Sequence, residues 1–313
     1  MFSTEDLNLL QQRGISLHTI NQQLSFFKNN FPFLTIIKAA TLTEGIIQPK
    51  EKEQASYLQI WKNYLCKNKA VAKFVPASGA ASRMFKDLFE FTESTAPIPN
   101  NKNIISFFDN ISRFSFYGEL NNICVVKKGK SIETLIASKE YKTVINLLLL
   151  QEGLNYGGLP KGLLLFHSYS DGTKRTPLEE HLVEGALYAK TSGKVKLHFT
   201  VSTEHRRLFE QLVSKKKSIY EKQYNTSYDV SFSEQKPSTD TIAANKNNEP
   251  FRENGNLLFR PGGHGALIEN LNDIDADIIF IKNIDNVVPD SMKPITVRYK
   301  KLLAGILVDL QNK

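Results

Sequence analysis

The chain has 313 residues, which exceeds the usual size of one compact core and predicts a main domain with an additional part. Apolar residues make up 41% and charged residues 23%, so the composition excludes disordered and fibrous proteins. The net charge of +8 arises from 40 basic and 32 acidic residues spread along the chain, with no nucleic-acid-binding motif. We therefore expect no nucleic-acid partner.

The sequence also predicts a cytoplasmic protein with no membrane contact. Its first residues include Glu5 and Asp6 and lack the basic start and cleavage site of a signal peptide. The longest apolar run, Val144 to Leu150, is far below the roughly 20 residues that a membrane-spanning helix needs.

Helical periodicity dominates residues 1–66 and predicts an N-terminal helical layer. Residues 67–313 predict an α/β core with a helical insertion at about 93–153, in which Asn121 to Gly129 has the pattern of a strand or turn. The core begins with a strand at Val71 to Val75, a turn of small residues, and a helix from about Arg83 to Phe91.

The later core alternates strands with helices. Residues 153–165 predict a loop and strand, and Thr176 predicts a helix start because Pro and two acids follow it. Further strands are predicted at 196–201, at 229–232 and, as the clearest buried strand, at 278–284, with a long helix over 204–222. This order predicts a mostly parallel mixed sheet with helices on both faces.

The turn after the first strand is a candidate phosphate-binding loop. In open α/β sheets ligands collect beyond the carboxyl ends of strands, and small residues let the backbone approach a phosphate. Arg83 adds a guanidinium group that can donate paired hydrogen bonds to phosphate oxygens. The small residues are Ala77, Ser78, Gly79, Ala80, Ala81 and Ser82. The same sequence also fits a simple tight turn, and it lacks the Gly-Lys-Ser/Thr ending of a P-loop.

Two further turns contain candidate ligand-binding residues. Lys161, in the turn 155–162, suits a point-charge contact to phosphate, or is a solvated lysine on a surface turn. The turn of Gly262, Gly263, His264 and Gly265 would let a ligand lie against the backbone, although a lone glycine-rich turn is weak support.

Asp285 follows the apolar strand 278–284 directly. A carboxylate at the carboxyl end of a strand is well placed to hold Mg²⁺ against a triphosphate. The alternative is a turn aspartate, since Asp-Asn is favourable turn chemistry.

In chain order, these segments resemble the motifs of the UDP-sugar pyrophosphorylase family. The matching residues are Ser78 to Met84, Pro160-Lys161-Gly162, Pro261 to Gly265, and Ile278 to Asn286. The segment Lys73 to Leu88 is also similar to an uncharacterised bacterial family, domain of unknown function 4301, and that likeness extends over nearly the whole chain.

The pyrophosphorylase resemblance implies a Rossmann-like nucleotidyltransferase core of glycosyltransferase A type. It implies a Mg²⁺-dependent reaction in which a nucleoside triphosphate and a sugar 1-phosphate give a nucleotide-sugar and pyrophosphate. Arg83, Lys161 and Asp285 would act on the phosphates, Asp285 would hold Mg²⁺, and the loop and the glycine turn would contact the nucleotide. The alternative is a nucleotide- or sugar-phosphate-binding module of the same fold without turnover.

This sequence departs from the pyrophosphorylase pattern in four respects. The loop has fewer glycines, and His264 replaces an asparagine. Lys161 lies about 75 residues after the loop, so the insertion must fold aside. Only 28 residues follow Asp285, so either the chain lacks a C-terminal part or its sugar site is built differently.

Overall fold

The computed structural model describes residues 2–313 and shows a mixed α/β architecture. It divides into two compact units. The first unit contains residues 2–67, 233–276 and 302–313. The second contains residues 68–232 and 277–301.

The helices of the described chain are α1 (Thr4–Arg13), α2 (Leu17–Asn29), α3 (Glu51–Leu65), α4 (Lys86–Glu93), α5 (Lys102–Asp109), α6 (Tyr117–Lys128), α7 (Ile132–Ala137), α8 (Tyr141–Leu149), α9 (Pro177–Tyr188), α10 (Arg206–Tyr224), α11 (Ile268–Asn272) and α12 (Lys293–Gln311). The strands are β1 (Val71–Pro76), β2 (His167–Ser168), β3 (Lys174–Arg175), β4 (Lys190–Thr191), β5 (Lys194–Thr200), β6 (Ser227–Ser233), β7 (Thr241–Ile242), β8 (Arg252–Glu253), β9 (Asn256–Leu257), β10 (Phe259–Arg260) and β11 (Ile278–Ile281). No helix within residues 2–313 has both the length and the apolarity to cross a membrane.

The first unit packs N-terminal helices against short hairpins. Ser3 begins α1 with a capping box, and Gly14 ends that helix in the left-handed region at φ 70°. Leu10 and Ile20 are buried together with Phe259 of β10. The N-terminal segment contains the helices α1, α2 and α3, with irregular backbone at residues 31–50 between α2 and α3.

The second unit contains a mixed five-stranded sheet in the order β11-β1-β5-β4, with β6 also paired to β5. β1 runs parallel to β11 on one side and to β5 on the other, whereas β4 and β5 form an antiparallel hairpin. All six residues of β1 are buried, as expected for a strand with neighbours on both sides. The carboxyl ends of β1, β5 and β11 therefore lie at one edge of the sheet, which we call the carboxyl edge.

Helices α9 and α10 pack against this sheet through apolar side chains. Leu178 and Leu182 of α9 pack with Phe199 of β5 and Phe209 of α10. The predicted start of α9 is confirmed, because the Thr176 side chain accepts a hydrogen bond from the Glu179 amide and Pro177 takes the first helical position.

Two predictions for the segments that form α4 and α6 need correction. Asn121 to Gly129 belongs to α6 and not to a strand, because Leu120 and Cys124, four residues apart, share the buried face of a helix. The helix predicted from Arg83 begins only at Lys86, because residues 81–85 form turns closed by the bonds from Met84 N to Ala81 O and from Phe85 N to Ser82 O.

Two strand predictions also need correction. Residues 153–165 form turns and a 3-10 helix at Lys161–Leu163 and contain no strand. The last predicted strand is shorter than expected, since β11 ends at Ile281 and is the outermost strand of the sheet, with Ile281 exposed. Parallel hydrogen bonding nevertheless continues, from Lys282 N to Phe74 O and from Ile284 N to Pro76 O.

Candidate functional site

The segment 77–84 follows β1 at the carboxyl edge and is the predicted phosphate loop. Ala77 and Ala81 are buried, and their amides bind the carbonyls of Thr200 and Leu159. The intervening residues and those up to Met84 are exposed. The two alanines therefore anchor the loop to the protein and leave the rest of its backbone open to solvent.

The exposed part of this loop has free hydrogen-bond donors. Within residues 2–313, five of its backbone amides donate no hydrogen bond to the protein, and they belong to Ser78, Gly79, Ala80, Ser82 and Arg83. No ion pair involves the exposed Arg83 in the same part of the chain. Clustered free amides beside a guanidinium favour anions.

The two segments at Gly79 and Lys161, far apart in sequence, are joined by a short antiparallel bridge. Ala80 pairs with Pro160, and the Lys161 amide donates to the Gly79 carbonyl at 3.2 Å. The intervening chain folds into helices α4 to α8, which build their own apolar core. After these helices the chain returns to the loop, and Lys161 lies next to it.

Lys161 and Asp285 form an ion pair, with Nζ and Oδ2 2.6 Å apart. Their side chains are 25% and 38% exposed. Asp285 follows the last parallel hydrogen bond beside β1, so its carboxylate lies at the carboxyl edge. The structure therefore brings the loop, Lys161 and Asp285 together within one unit.

The residue after Lys161 is a glycine, Gly162, because the space around it is too small for a side chain. A Cβ atom at Gly162 would lie 2.8 Å from Cε1 of Phe209 and 2.9 Å from Cγ1 of Ile284. Both neighbours are buried. Because Gly162 follows Lys161 and Ile284 precedes Asp285, this contact sets the position of the ion pair.

A side chain of helix α9 also contacts the backbone directly before Asp285. His181 is fully buried, and its Nε2 lies 3.1 Å from the Ile284 carbonyl oxygen. Burial, and secondly the charge of Lys73, hold the pKa of His181 well below its usual value, so the ring is neutral. A carbonyl only accepts hydrogen bonds, so Nε2 carries the proton. Nδ1 has no hydrogen-bond partner within residues 2–313.

The sequence interpretation missed a buried network around Glu180 of α9. Its Oε1 lies 2.9 Å from Nδ1 of His167 and accepts a hydrogen bond from the Tyr169 hydroxyl, and its Oε2 accepts one from Lys293 at 2.6 Å. Arg175 in turn binds Asp290. Burial would raise the pKa of Glu180, but hydrogen bonds from His167, Lys293 and Tyr169 outweigh it and lower the pKa.

A second missed network surrounds Glu184, one turn further along α9. It accepts hydrogen bonds from Lys282 at 2.6 Å, Lys73 at 2.9 Å and Tyr188 at 3.1 Å. Burial opposes its ionisation, but Lys73 and the other cations outweigh burial and lower the pKa of Glu184. The sequence signal was the spacing of Glu180 and Glu184, which puts two acids on one face of a helix rich in apolar residues.

The glycine turn at 262–265 belongs to the first unit. Gly262 is packed, since a Cβ there would lie 2.8 Å from that of Ala266. Gly263 and Gly265 have no atom within 4 Å of an added Cβ, and His264 is exposed at the start of a 3-10 helix. That this turn contacts the same ligand as the loop stays a prediction.

No group of three His, Cys, Asp or Glu side chains in the described chain could form a metal site alone. Asp285 is compatible with Mg²⁺ shared with a ligand, because Mg²⁺ keeps several waters and needs only one or two protein carboxylates. Its Oδ1 accepts no hydrogen bond from any residue of the range 2–313.

Fold and site together define a mixed α/β protein with a loop of free backbone amides at the carboxyl edge of its sheet. The chain belongs to the family described as domain of unknown function (DUF4301), whose model matches residues 3–313. This confirms the likeness seen at Lys73 to Leu88. Neither the curated proteins nor the solved structures contain a match to the chain.

Proposed function

We propose that the chain is a sugar-phosphate nucleotidyltransferase with a core of the glycosyltransferase A type. In the proposed reaction, an oxygen of a sugar 1-phosphate attacks the α-phosphorus of a nucleoside triphosphate, and pyrophosphate leaves. The observation that carries the proposal is the convergence of the free loop amides, Lys161 and Asp285 at the carboxyl edge. Ligands of open α/β sheets bind at such an edge.

The reaction needs alignment and charge neutralisation more than a nucleophilic side chain. In the proposal, the free amides of Ser78, Gly79 and Ala80 donate to triphosphate oxygens, and Arg83 binds the departing pyrophosphate. Lys161 leaves its partner Asp285 to contact the reacting phosphates. No general base is required, because the attacking phosphate is already ionised.

Mg²⁺ would be held by Asp285 together with phosphate oxygens and would neutralise charge on the triphosphate. The Lys161 ammonium pairs with this carboxylate in the absence of ligand. Triphosphate would thus replace Asp285 as the partner of Lys161, and Mg²⁺ would replace Lys161 as the partner of Asp285, which keeps both charges balanced. The glycine turn at 262–265 remains the predicted contact for the nucleotide base.

The test is the Asp285→Asn variant, which keeps size and polarity but removes the charge. We expect it to fold with less than about 1 kcal/mol loss of stability, because the pair is partly exposed. Its Mg²⁺-dependent triphosphate binding, measured by calorimetry, and its pyrophosphate release with a panel of sugar phosphates should be lost.

Asp229→Asn is the matched control, because Asp229 forms an exposed ion pair with Lys194 at 3.2 Å in the same unit. It should behave as wild type. Triphosphate binding without pyrophosphate release across the panel would favour the alternative, a non-catalytic nucleotide-binding module. Equal Mg²⁺ dependence in wild type and Asp285→Asn would reject the assignment of Asp285.

A further inference from the structure

The helical insertion of the second unit contains an apolar cavity of ≈350 Å³, a size found among small-molecule sites. It lies between α4, α5 and the segments that follow Arg113 and Gly162. Six aromatic rings line it, those of Phe85, Phe107, Phe114, Phe116, Tyr156 and Phe166. Such a lining suits an uncharged ring or hydrocarbon group.

The polar groups of this cavity do not suit an anion in its interior. They come from Asp87, Asn103 and Tyr156. The Asn103 amide donates to Asp87 Oδ2 at 2.7 Å, and the Tyr156 hydroxyl accepts a hydrogen bond from the Leu165 amide. The lining contains no cation, and the Asp87 carboxylate repels negative charge. An anionic group of a ligand must therefore lie outside the apolar part.

A polar depression adjoins the cavity and offers such a place. The two share Asn103, Phe107 and Phe114 as walls. Arg113 lies in the depression, and its guanidinium donates a hydrogen bond to Asn110 Oδ1 but forms no ion pair within residues 2–313. It supplies the only charge among the residues that line the depression.

The rings around the shared wall are also open to solvent. Phe114 is 40% exposed, and its ring centroid lies 5.4 Å from that of Phe107. Met84, at the other side of the lining, is 48% exposed. Apolar side chains exposed at the mouth of an apolar cavity give a ligand more surface to cover.

We propose that this paired cavity binds a small amphipathic anion, with an aromatic or hydrocarbon body among the phenylalanine rings and one anionic head at Arg113. The shape and polarity of the site carry this inference, and it does not depend on the nucleotidyltransferase proposal. Met84, the last residue of the loop 77–84, and Leu164, three residues after Lys161, both line the cavity.

The test uses 1-naphthaleneacetate and its neutral analogue 1-naphthaleneacetamide in calorimetric titrations of the whole chain. The anion should bind more tightly than the amide. Arg113→Gln should weaken binding of the anion about fivefold and leave binding of the amide unchanged. Lys127→Gln, which removes an exposed charge elsewhere in the insertion, should change neither.

Phe107→Trp should abolish binding of both probes, because the larger ring occupies the cavity. If that variant does not fold, Leu165→Trp fills the same cavity from a partly buried position. The proposal fails if wild type binds neither probe, if both probes bind equally, or if a folded filled-cavity variant still binds them.

Discussion

Replacing Gly162 by alanine tests the packing that positions the Lys161–Asp285 pair. The added methyl would lie 2.8 Å and 2.9 Å from atoms of Phe209 and Ile284, closer than carbon atoms approach without a shift. Phe209 is 0% and Ile284 3% exposed, so neither side chain can turn into solvent. We expect an overpacking cost of about 1–3 kcal/mol.

Part of this cost is offset in the unfolded chain, where alanine loses less conformational freedom than glycine, by about 0.4–1 kcal/mol. The net loss of unfolding free energy should be about 1–2 kcal/mol. For a unit of this size each kcal/mol lowers the melting temperature by about 2–4 °C. Denaturant and thermal unfolding, followed by circular dichroism, measure both quantities.

Gly79→Ala is the matched control, because no atom lies within 4 Å of the added Cβ. Its stability should differ from wild type by less than about 0.5 kcal/mol. If triphosphate binds this loop, Gly79→Ala weakens binding by crowding the ligand, whereas Gly162→Ala weakens it by displacing Ile284 and Asp285. Equal stability of wild type and Gly162→Ala would refute the packing argument.

Three other changes test the buried helix, its cap and the glycine turn. Glu184→Gln should cost about 3–5 kcal/mol in unfolding free energy, because it leaves Lys73 and Lys282 buried without their carboxylate. The pKa of Glu184 is lowered in the folded state, so its carboxylate contributes to the unfolding free energy above about pH 4.5 and loses this contribution as the pH falls further. The difference between this variant and wild type should therefore shrink in acid. Thr176→Ala should cost about 1 kcal/mol through the lost cap, measured by urea unfolding. Gly265→Val should leave stability unchanged and block triphosphate binding in calorimetry; unchanged binding would separate this turn from the ligand site.

The loop after β1 could be predicted from the sequence because its signals are local. A run of apolar residues predicted the strand, and the small residues from Ala77 to Ser82 predicted a turn. The exact start of α4 could not be predicted, because it depends on turns that end at Phe85. Helix ends are set by individual hydrogen bonds that the apolar pattern does not specify.

The partner of Lys161 could not be predicted from local signals. The residue is separated from Ser78 by the whole helical insertion, and from Asp285 by 124 positions. Only the resemblance placed these residues in one site. Their meeting depends on the bridge between Ala80 and Pro160 and on a glycine small enough to pack against Ile284.

Helix α9 shows how a sequence can identify an element and still conceal its role. Its cap and first-turn acids predicted a helix start, and acids in a first turn are usually solvated there. In the structure Glu180 and Glu184 are fully buried, because lysines from other segments reach them. Those lysines, Lys282 and Lys293, lie on either side of Asp285 in the sequence. The charges of α9 thus bind the two ends of the segment that carries the candidate metal ligand, and His181 binds the carbonyl of Ile284, directly before Asp285. A helix whose start was predicted from its cap therefore positions the candidate site from the interior.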